Sequence, residues 1–292
     1  MFAHVAPRLN GIVWTGSRFF YVENTASTVW SAPAQGSPLT RFASMPKLVE
    51  ETRCVLSPGT HGFPRGVLFC HSPDHKIYEI DGTGKVRLFA RLPAPYPPAG
   101  DGALAFDTVG RFGFRLVGAT GRSGAVRPAG GSVFAVGAGG RVQRVGGYHG
   151  PGGADELAIA PASFGTAAGD ALLTVDAGRR PGALVAVSPS GRARVLARFS
   201  DGPNPVVVLG GAGQRRPGSP APGLYLTDDT SQAVYYATDA QLARYRGDVL
   251  VGGEATARFW IVAPHGTGYT ATRVRSNLEG KTRSLEAMIA MG

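Results

Sequence analysis

The feature that most constrains this chain is a repeat of short apolar runs separated by tight turns, recurring every ~45–60 residues. The first two copies are Phe19–Val22 with Thr28–Trp30 and Leu39–Phe42, then Val67–Phe69 with Lys76–Ile80 and Val86–Phe89. A unit of this size cannot bury its own apolar face, whereas units stacked in a ring bury one another. The repeat therefore predicts an all-β, six-bladed β-propeller with four-stranded antiparallel blades around a central channel.

The predicted strands occupy residues 1–275 as one propeller domain. The chain has 292 residues, and its 43 glycines, 22 prolines and 43% hydrophobic content suit many short strands joined by turns. Blade five is predicted to contain Val206–Leu209, Leu224–Thr227 and Val234–Ala237, and it lacks an obvious outer strand. Blade six is predicted to contain Val249–Val251, Arg258–Val262 and Tyr269–Val274, and it lacks an obvious inner strand. Residues 276–292 form a C-terminal tail, in which Leu285, Met288 and Ile289 have the spacing of a short helix.

The distribution of charge and the lengths of the apolar runs limit which binding partners we expect. The net charge is +10, but the basic residues form no stripe interleaved with aromatic side chains, so we expect no nucleic-acid partner. No apolar run is long enough for a membrane-spanning helix. The stretch Met1–Asn10 lacks the apolar core of a signal peptide. We expect a monomer that acts on a small molecule.

Two cysteines, Cys54 and Cys70, lie on neighbouring predicted strands on either side of the turn at His61–Phe63. Pairing about that turn places the cysteines nearly opposite each other, within disulfide range. A disulfide would indicate a secreted or periplasmic protein, because such bonds persist in oxidising compartments. Two buried free thiols are the alternative, and they would leave the protein cytoplasmic.

Several stretches resemble the propellers of the senescence marker protein/gluconolactonase family and their strictosidine-synthase-like relatives. The stretches that carry the resemblance are Asp101–Asp107, Gly169–Asp176 and Leu224–Tyr235. The resemblance extends from about Leu9 to Val274 and concerns the pattern of strands and turns within a blade. Such a pattern recurs in propellers of unrelated activity and therefore points to fold more than to function.

Members of that family hold a divalent cation at one mouth of the channel, on side chains at the starts of inner strands. By position, the resemblance assigns the metal to the starts of blades two to five, at Glu51, Asp101, Glu156 and Asn204. Carboxylate and amide oxygens suit a hard cation, and we expect calcium. The cation would polarise a lactone carbonyl while a catalytic carboxylate, Asp101 or Glu156, activates the attacking water.

A further set of polar residues lies at the start of the inner strand of blade one or at the ends of second strands, that of blade one included. These residues are predicted to line the substrate mouth, and they are Asn10, Glu23, His71, Asp176 and Glu254. The start of one strand and the end of its antiparallel neighbour share one face of the ring. The alternative for each residue alone is a structural turn, since Asp and Asn often bond their own backbone.

The sequence therefore favours a metal-dependent hydrolase of a small lactone or ester at the channel mouth. One alternative is a non-catalytic propeller that binds a peptide, glycan or protein through rim loops, of which Gly118–Gly131 and Gly210–Gly223 are the longest. Another is a lyase or cyclase of a biosynthetic pathway, as in the strictosidine-synthase-like relatives.

Overall fold

The computed structural model describes residues 1–24, 26, 28–46, 52–93, 102–121, 130–150, 152–175, 181–210, 218–280 and 284–291. Within these ranges the chain forms 24 strands, which pair into six four-stranded antiparallel sheets. The inner strands contact one another in a closed ring. The predicted six-bladed propeller is thus confirmed.

The chain begins with a two-residue strand, β1 (Ala3–His4), and then builds four blades in order from the channel outwards. Blade one contains β2 (Leu9–Trp14), β3 (Phe19–Glu23), β4 (Thr28–Ala32) and β5 (Thr40–Ser44). Blade two contains β6 (Arg53–Leu56), β7 (Leu68–Ser72), β8 (Lys76–Ile80) and β9 (Val86–Arg91). Blade three contains β10 (Gly102–Phe106), β11 (Leu116–Gly121), β12 (Gly130–Val136) and β13 (Val142–His149). Blade four contains β14 (Ala154–Ile159), β15 (Ala171–Val175), β16 (Ala183–Val187) and β17 (Ala193–Arg198), with a 3-10 turn at Gly165–Ala167.

The last two blades exchange segments. The chain continues through β18 (Pro203–Val208), β19 (Gly223–Asp228), β20 (Ala233–Thr238), helix α1 (Asp239–Leu242), a 3-10 turn (Ala243–Tyr245), β21 (Val249–Gly253), β22 (Phe259–His265), β23 (Gly268–Val274) and β24 (Leu285–Met291). Blade five has the order β18-β21-β22-β23, and blade six has the order β24-β19-β20-β1. Blade six therefore takes its innermost strand from the C-terminal end of the chain and its outermost strand from the N-terminal end.

Two sequence predictions are corrected by this arrangement. The strands Leu224–Thr227 and Val234–Ala237, predicted for blade five, belong to blade six, and the strands predicted for blade six, Val249–Val251, Arg258–Val262 and Tyr269–Val274, belong to blade five. The prediction of a short C-terminal helix is also wrong, because Leu285–Met291 is strand β24. A short, nearly all-apolar run fits both the helical repeat and the strand repeat. Here the run pairs with the free edge of β19 and is therefore a strand.

The hydrophobic core consists of six clusters, one between each pair of neighbouring blades in the described chain. Side chains of a strand point alternately to the two faces of its sheet. A blade that lies between two others therefore buries both of its faces. The cluster between blades six and one contains Tyr225 from β19 and Phe19 from β3, with ring centroids 5.3 Å apart. This cluster closes the ring. No helix in the described ranges is long and apolar enough to span a membrane.

Cys54 on β6 lies directly opposite Cys70 on β7, and the two form a disulfide. The bonded alternative of the sequence analysis is confirmed. Both residues belong to the core between blades one and two, so the crosslink fastens the inner strand of blade two to its neighbour.

Candidate functional site

Four of the six described inner strands carry a β-bulge at the same level, near their N-terminal ends. The strand register shifts between Leu9 and Gly11, between Ala154 and Glu156, between Pro203 and Val206, and between Leu285 and Ala287. The residues within these shifts are Asn10, Asp155, Asn204, Pro205 and Glu286. A bulge leaves its extra residue outside the ladder and redirects that side chain. Polar residues from four blades are thereby brought to one end of the channel.

Arg53, at the start of β6, lies at the centre of these bulges and is only 2% exposed. Its Nη2 donates to Asn204 Oδ1 at 3.1 Å and to Glu286 Oε2 at 3.5 Å. Its Nη1 donates to the carbonyl oxygen of Asn10, and its Nε donates to that of Asp155 at 3.4 Å. One guanidinium therefore joins the inner strands of blades one, two, four, five and six.

Glu286 carries the charge that balances Arg53. It is 1% exposed, and its Oε2 also accepts from Asn204 Nδ2 at 3.2 Å. Its second oxygen accepts from the hydroxyl of Ser284 at 2.6 Å. A buried ion pair is tolerated when hydrogen bonds satisfy its remaining polar atoms, and these contacts meet that requirement for the carboxylate.

Glu156 faces the same guanidinium more loosely, with Oε2 at 3.7 Å from Arg53 Nε. Burial raises the pKa of Glu156 to about 7; the positive charge of Arg53 opposes the rise, and Glu286 adds to it. Thr174 on β15 fixes the backbone here, because its hydroxyl accepts from the Glu156 N–H at 3.1 Å and donates to the Asn204 carbonyl at 2.6 Å. Glu156 therefore has a fixed backbone and a carboxyl whose charge changes near neutral pH.

A cavity of about 360 Å³ runs along the channel from this polar cluster towards the C-terminal ends of the inner strands. Its walls are mostly aliphatic and come from all six blades, with residues such as Val13, Leu104 and Val207. Arg53 and Glu156 are the charged residues that line it in the described chain. The channel therefore offers an apolar chamber with one ionisable end.

The predicted metal ligands are partly brought together. Glu156 and Asn204 lie on either side of Arg53, at 3.7 Å and 3.1 Å from its nitrogen atoms. Glu51 and Asp101 lie outside the described residues. Among the described residues, no group of three or more His, Cys, Asp or Glu side chains could hold a metal ion. The described half of the set does not fit a divalent cation by itself, because a guanidinium already lies between these oxygens. The four-residue calcium site stays a prediction.

The structure describes four of the five residues predicted for the substrate mouth. Glu23 accepts a hydrogen bond from Trp30 Nε1 at 2.9 Å, which gives it a structural partner. His71 is buried, and burial lowers the pKa of His71 to about 3, so it is neutral at physiological pH. Glu254 is half-buried and bonds Gly202 and Leu285 through its backbone. None of these three residues lines the channel cavity in the described chain.

Asn10 and Asp176 are the other two residues predicted to line the substrate mouth. Asn10 is buried in a bulge, its carbonyl oxygen binds Arg53, and neither polar atom of its side chain has a hydrogen-bond partner among the described residues. Asp176 lies outside the described residues. Among the described members of the set, Asn10 is the one whose backbone binds Arg53.

The two charges at the centre of the cluster, Arg53 and Glu286, are not among the residues predicted from the sequence. Each is a single charged residue within an otherwise apolar inner strand, in the stretches Thr52–Leu56 and Leu285–Met291. That pattern is the signal that could have identified them, since charged residues are rarely buried unless paired.

Comparisons with solved structures show similarity of fold. The chain superposes on a chain of a nidogen/laminin complex with a TM-score of 0.60 and 11% identity, over 98% of this chain and 86% of the other. It superposes on the PQQ-bound aldose sugar dehydrogenase of Streptomyces coelicolor with a TM-score of 0.59 and 14% identity, again over 98% and 86%. No protein-family profile and no curated protein sequence matches the chain. At such identity the likeness shows the propeller fold and leaves the resemblance to the gluconolactonase family a prediction.

Proposed function

We propose that this propeller hydrolyses a small lactone or ester in its channel, with Glu156 as the general base. The observation that carries the proposal is the Glu156 carboxyl, which lies at the end of the apolar cavity and has a pKa of about 7. A base is most effective when its pKa lies near the working pH. Burial beside a fixed charge is how enzymes bring a carboxyl into that range.

The chemistry follows from the position of Glu156. Its carboxylate takes a proton from a water molecule as that water adds to the carbonyl carbon of the substrate. The bond from this carbon to the leaving oxygen then breaks, and the proton passes from Glu156 to that oxygen. Arg53 is a positioning residue here: it holds the surrounding strands together, and its charge favours the ionised form of Glu156.

The size and lining of the cavity indicate the substrate class. A volume of about 360 Å³ lies at the low end of the range for small-molecule sites, which is roughly 300–1,000 Å³. Since the walls are aliphatic, the substrate would be a short-chain alkyl lactone or ester. A highly hydroxylated sugar would leave its hydroxyl groups without partners against these walls.

The test compares the wild-type chain with Glu156→Gln and Glu156→Asp on a panel of γ- and δ-lactones with short alkyl chains. We expect kcat/KM of the wild type to rise with pH through about 7, because the base must be ionised. The glutamine variant should lose about 10²- to 10⁴-fold in rate. Glu279→Gln is the matched control, since Glu279 lies in the segment after β23, pairs with Arg258 and Arg273, and does not line the channel cavity. Unchanged turnover by Glu156→Gln would refute the proposal.

Metal dependence is tested in the same assay. If the predicted calcium site exists, a chelator should lower both turnover and the melting temperature, and added calcium should restore them. Unaltered values would leave Glu156 as the base and remove calcium from the mechanism.

Binding through the rim is a second candidate function, favoured by one exposed feature. His61 and Phe114 stack face to face, 4.0 Å between centroids, and both adopt a positive φ that is strained for such residues. Asp107 fixes the loop, since its carboxylate accepts backbone N–H bonds from Val109, Gly110, Phe112 and Phe114. A preformed aromatic surface of this kind suits a glycan or peptide. Loss of glycan or peptide capture by Phe114→Ala, with lactone turnover intact, would support this function.

The compartment belongs to the same proposal. The disulfide Cys54–Cys70 is consistent with a secreted or periplasmic protein. We propose that the chain works in an oxidising compartment, which mass spectrometry of the thiols in the native source would test.

A further inference from the structure

A second cavity lies away from the channel, between blades five and six. It has a volume of about 700 Å³ and shares no lining residue with the channel cavity. Its apolar wall includes Leu224 and Leu226 of β19 and Leu250 and Phe259 of blade five. These residues belong to the core between the two blades, so the cavity is an unfilled part of that interface.

The cavity lies where these two blades exchange segments. The β19-β20 hairpin, helix α1 and the following 3-10 turn are inserted between the first two strands of blade five. The inserted helical segment begins with a capping box, in which Thr238 and Gln241 satisfy each other's backbone N–H groups. The capping box stabilises the start of this segment. The segment also contains Arg244 and Tyr245, which line the cavity.

The charges at this cavity are all of one sign. Arg244 and Arg275 line it, and no Asp or Glu does so among the described residues. The neighbouring arginines have partners: Arg246 pairs with Asp239, and Arg273 pairs with Glu279. In the described chain, Arg244 and Arg275 have no such carboxylate partner. Arg244 instead stacks over the ring of Tyr245 at 4.6 Å.

We propose that this cavity binds a small organic carboxylate with an apolar body, such as a medium-chain alkyl carboxylate. The apolar body would occupy the wall formed by Leu224, Leu226, Leu250 and Phe259, which removes hydrocarbon from water. The carboxylate would lie at the rim against Arg244 and Arg275, where charge-assisted hydrogen bonds are available. A cavity of this volume is of the size that small-molecule sites have. The site is independent of the lactone chemistry proposed for the channel.

The experiment is calorimetric titration of the full chain with decanoate, with decan-1-ol as the neutral ligand of equal chain length. We expect decanoate to bind more tightly than decan-1-ol, and its binding to weaken as salt is added. The double variant Arg244→Gln/Arg275→Gln should bind decanoate about ten-fold more weakly. Both residues are exposed, so the variant is expected to fold.

Arg246→Gln is the matched control, because it removes a nearby arginine that pairs with Asp239 and does not line the cavity. Its affinity for decanoate should equal that of the wild type. Equal affinities for decanoate and decan-1-ol, or an unchanged affinity in the double variant, would overturn the proposal. Lactone turnover reports on the channel alone, so failure here is separable from failure of the proposed hydrolase.

Discussion

Replacing Glu156 with glutamine should change how the stability of the protein depends on pH. Burial raises the pKa of Glu156 from 4.5 to about 7, although Arg53 opposes the rise. The folded state therefore holds this proton to higher pH than the unfolded chain does. The resulting stabilisation is complete below pH 4.5 and is lost as pH rises through 7.

The size of the effect follows from the two pKa values. Each pKa unit corresponds to about 1.4 kcal/mol, so a rise from 4.5 to about 7 amounts to roughly 3 kcal/mol of unfolding free energy. The Glu156 side chain is 15% exposed, so solvent screens this effect only weakly. Glutamine does not titrate. The variant should thus gain roughly 3 kcal/mol on the wild type between pH 4.5 and 8.

Urea unfolding of both proteins at several pH values in this range measures the effect. The quantity to follow is the difference in unfolding free energy between variant and wild type, which cancels titration shared by the two. Glu279→Gln controls for the loss of one negative charge from a chain of net charge +10. A Glu156→Gln difference that stays constant from pH 4.5 to 8 would refute the proposed environment of the carboxyl, and with it the basis for a base at this position.

Two further predictions concern stability. Arg53→Ala should lower the unfolding free energy by about 3–5 kcal/mol, because it leaves Glu286 buried without its partner. In urea unfolding, the double variant Arg53→Met/Glu286→Leu should lose less unfolding free energy than Arg53→Met alone. Equal losses of unfolding free energy would contradict a buried ion pair. Removing the disulfide by the double variant Cys54→Ala/Cys70→Ala should cost about 3 kcal/mol, since the bond closes a loop with a sequence separation of 16. A reductant should lower the melting temperature of the wild type and leave the double variant unchanged, and equal responses would count against the crosslink.

Local features were predictable because neighbouring residues determine them. The hairpin that places Cys54 opposite Cys70 needs only two strands and the turn between them, and its pairing is confirmed. Most strands are bounded by turn residues that can be read directly. Glu156 and Asn204 were also predicted at the channel end, because each begins an inner strand of its blade.

The long-range features were not predictable in this way. The hydrogen-bond partners of Arg53 lie up to 233 positions away in the chain, and no short sequence pattern relates them to Arg53. The exchange of strands between blades five and six was not predicted, for the same reason. The β19-β20 hairpin is the same local structure in either blade, and only the partner of its free edge distinguishes the two.

The sequence by itself determined the type of structure: short apolar runs at regular intervals that can be buried only by stacking sheets around an axis. The tertiary structure alone decided which edges meet, and therefore which strand completes each blade and which charges lie together. The physical reason is that strand propensity and turns act over a few residues. The pairing of an edge, or of a buried arginine with its carboxylate, depends on what the closed ring brings within hydrogen-bond distance.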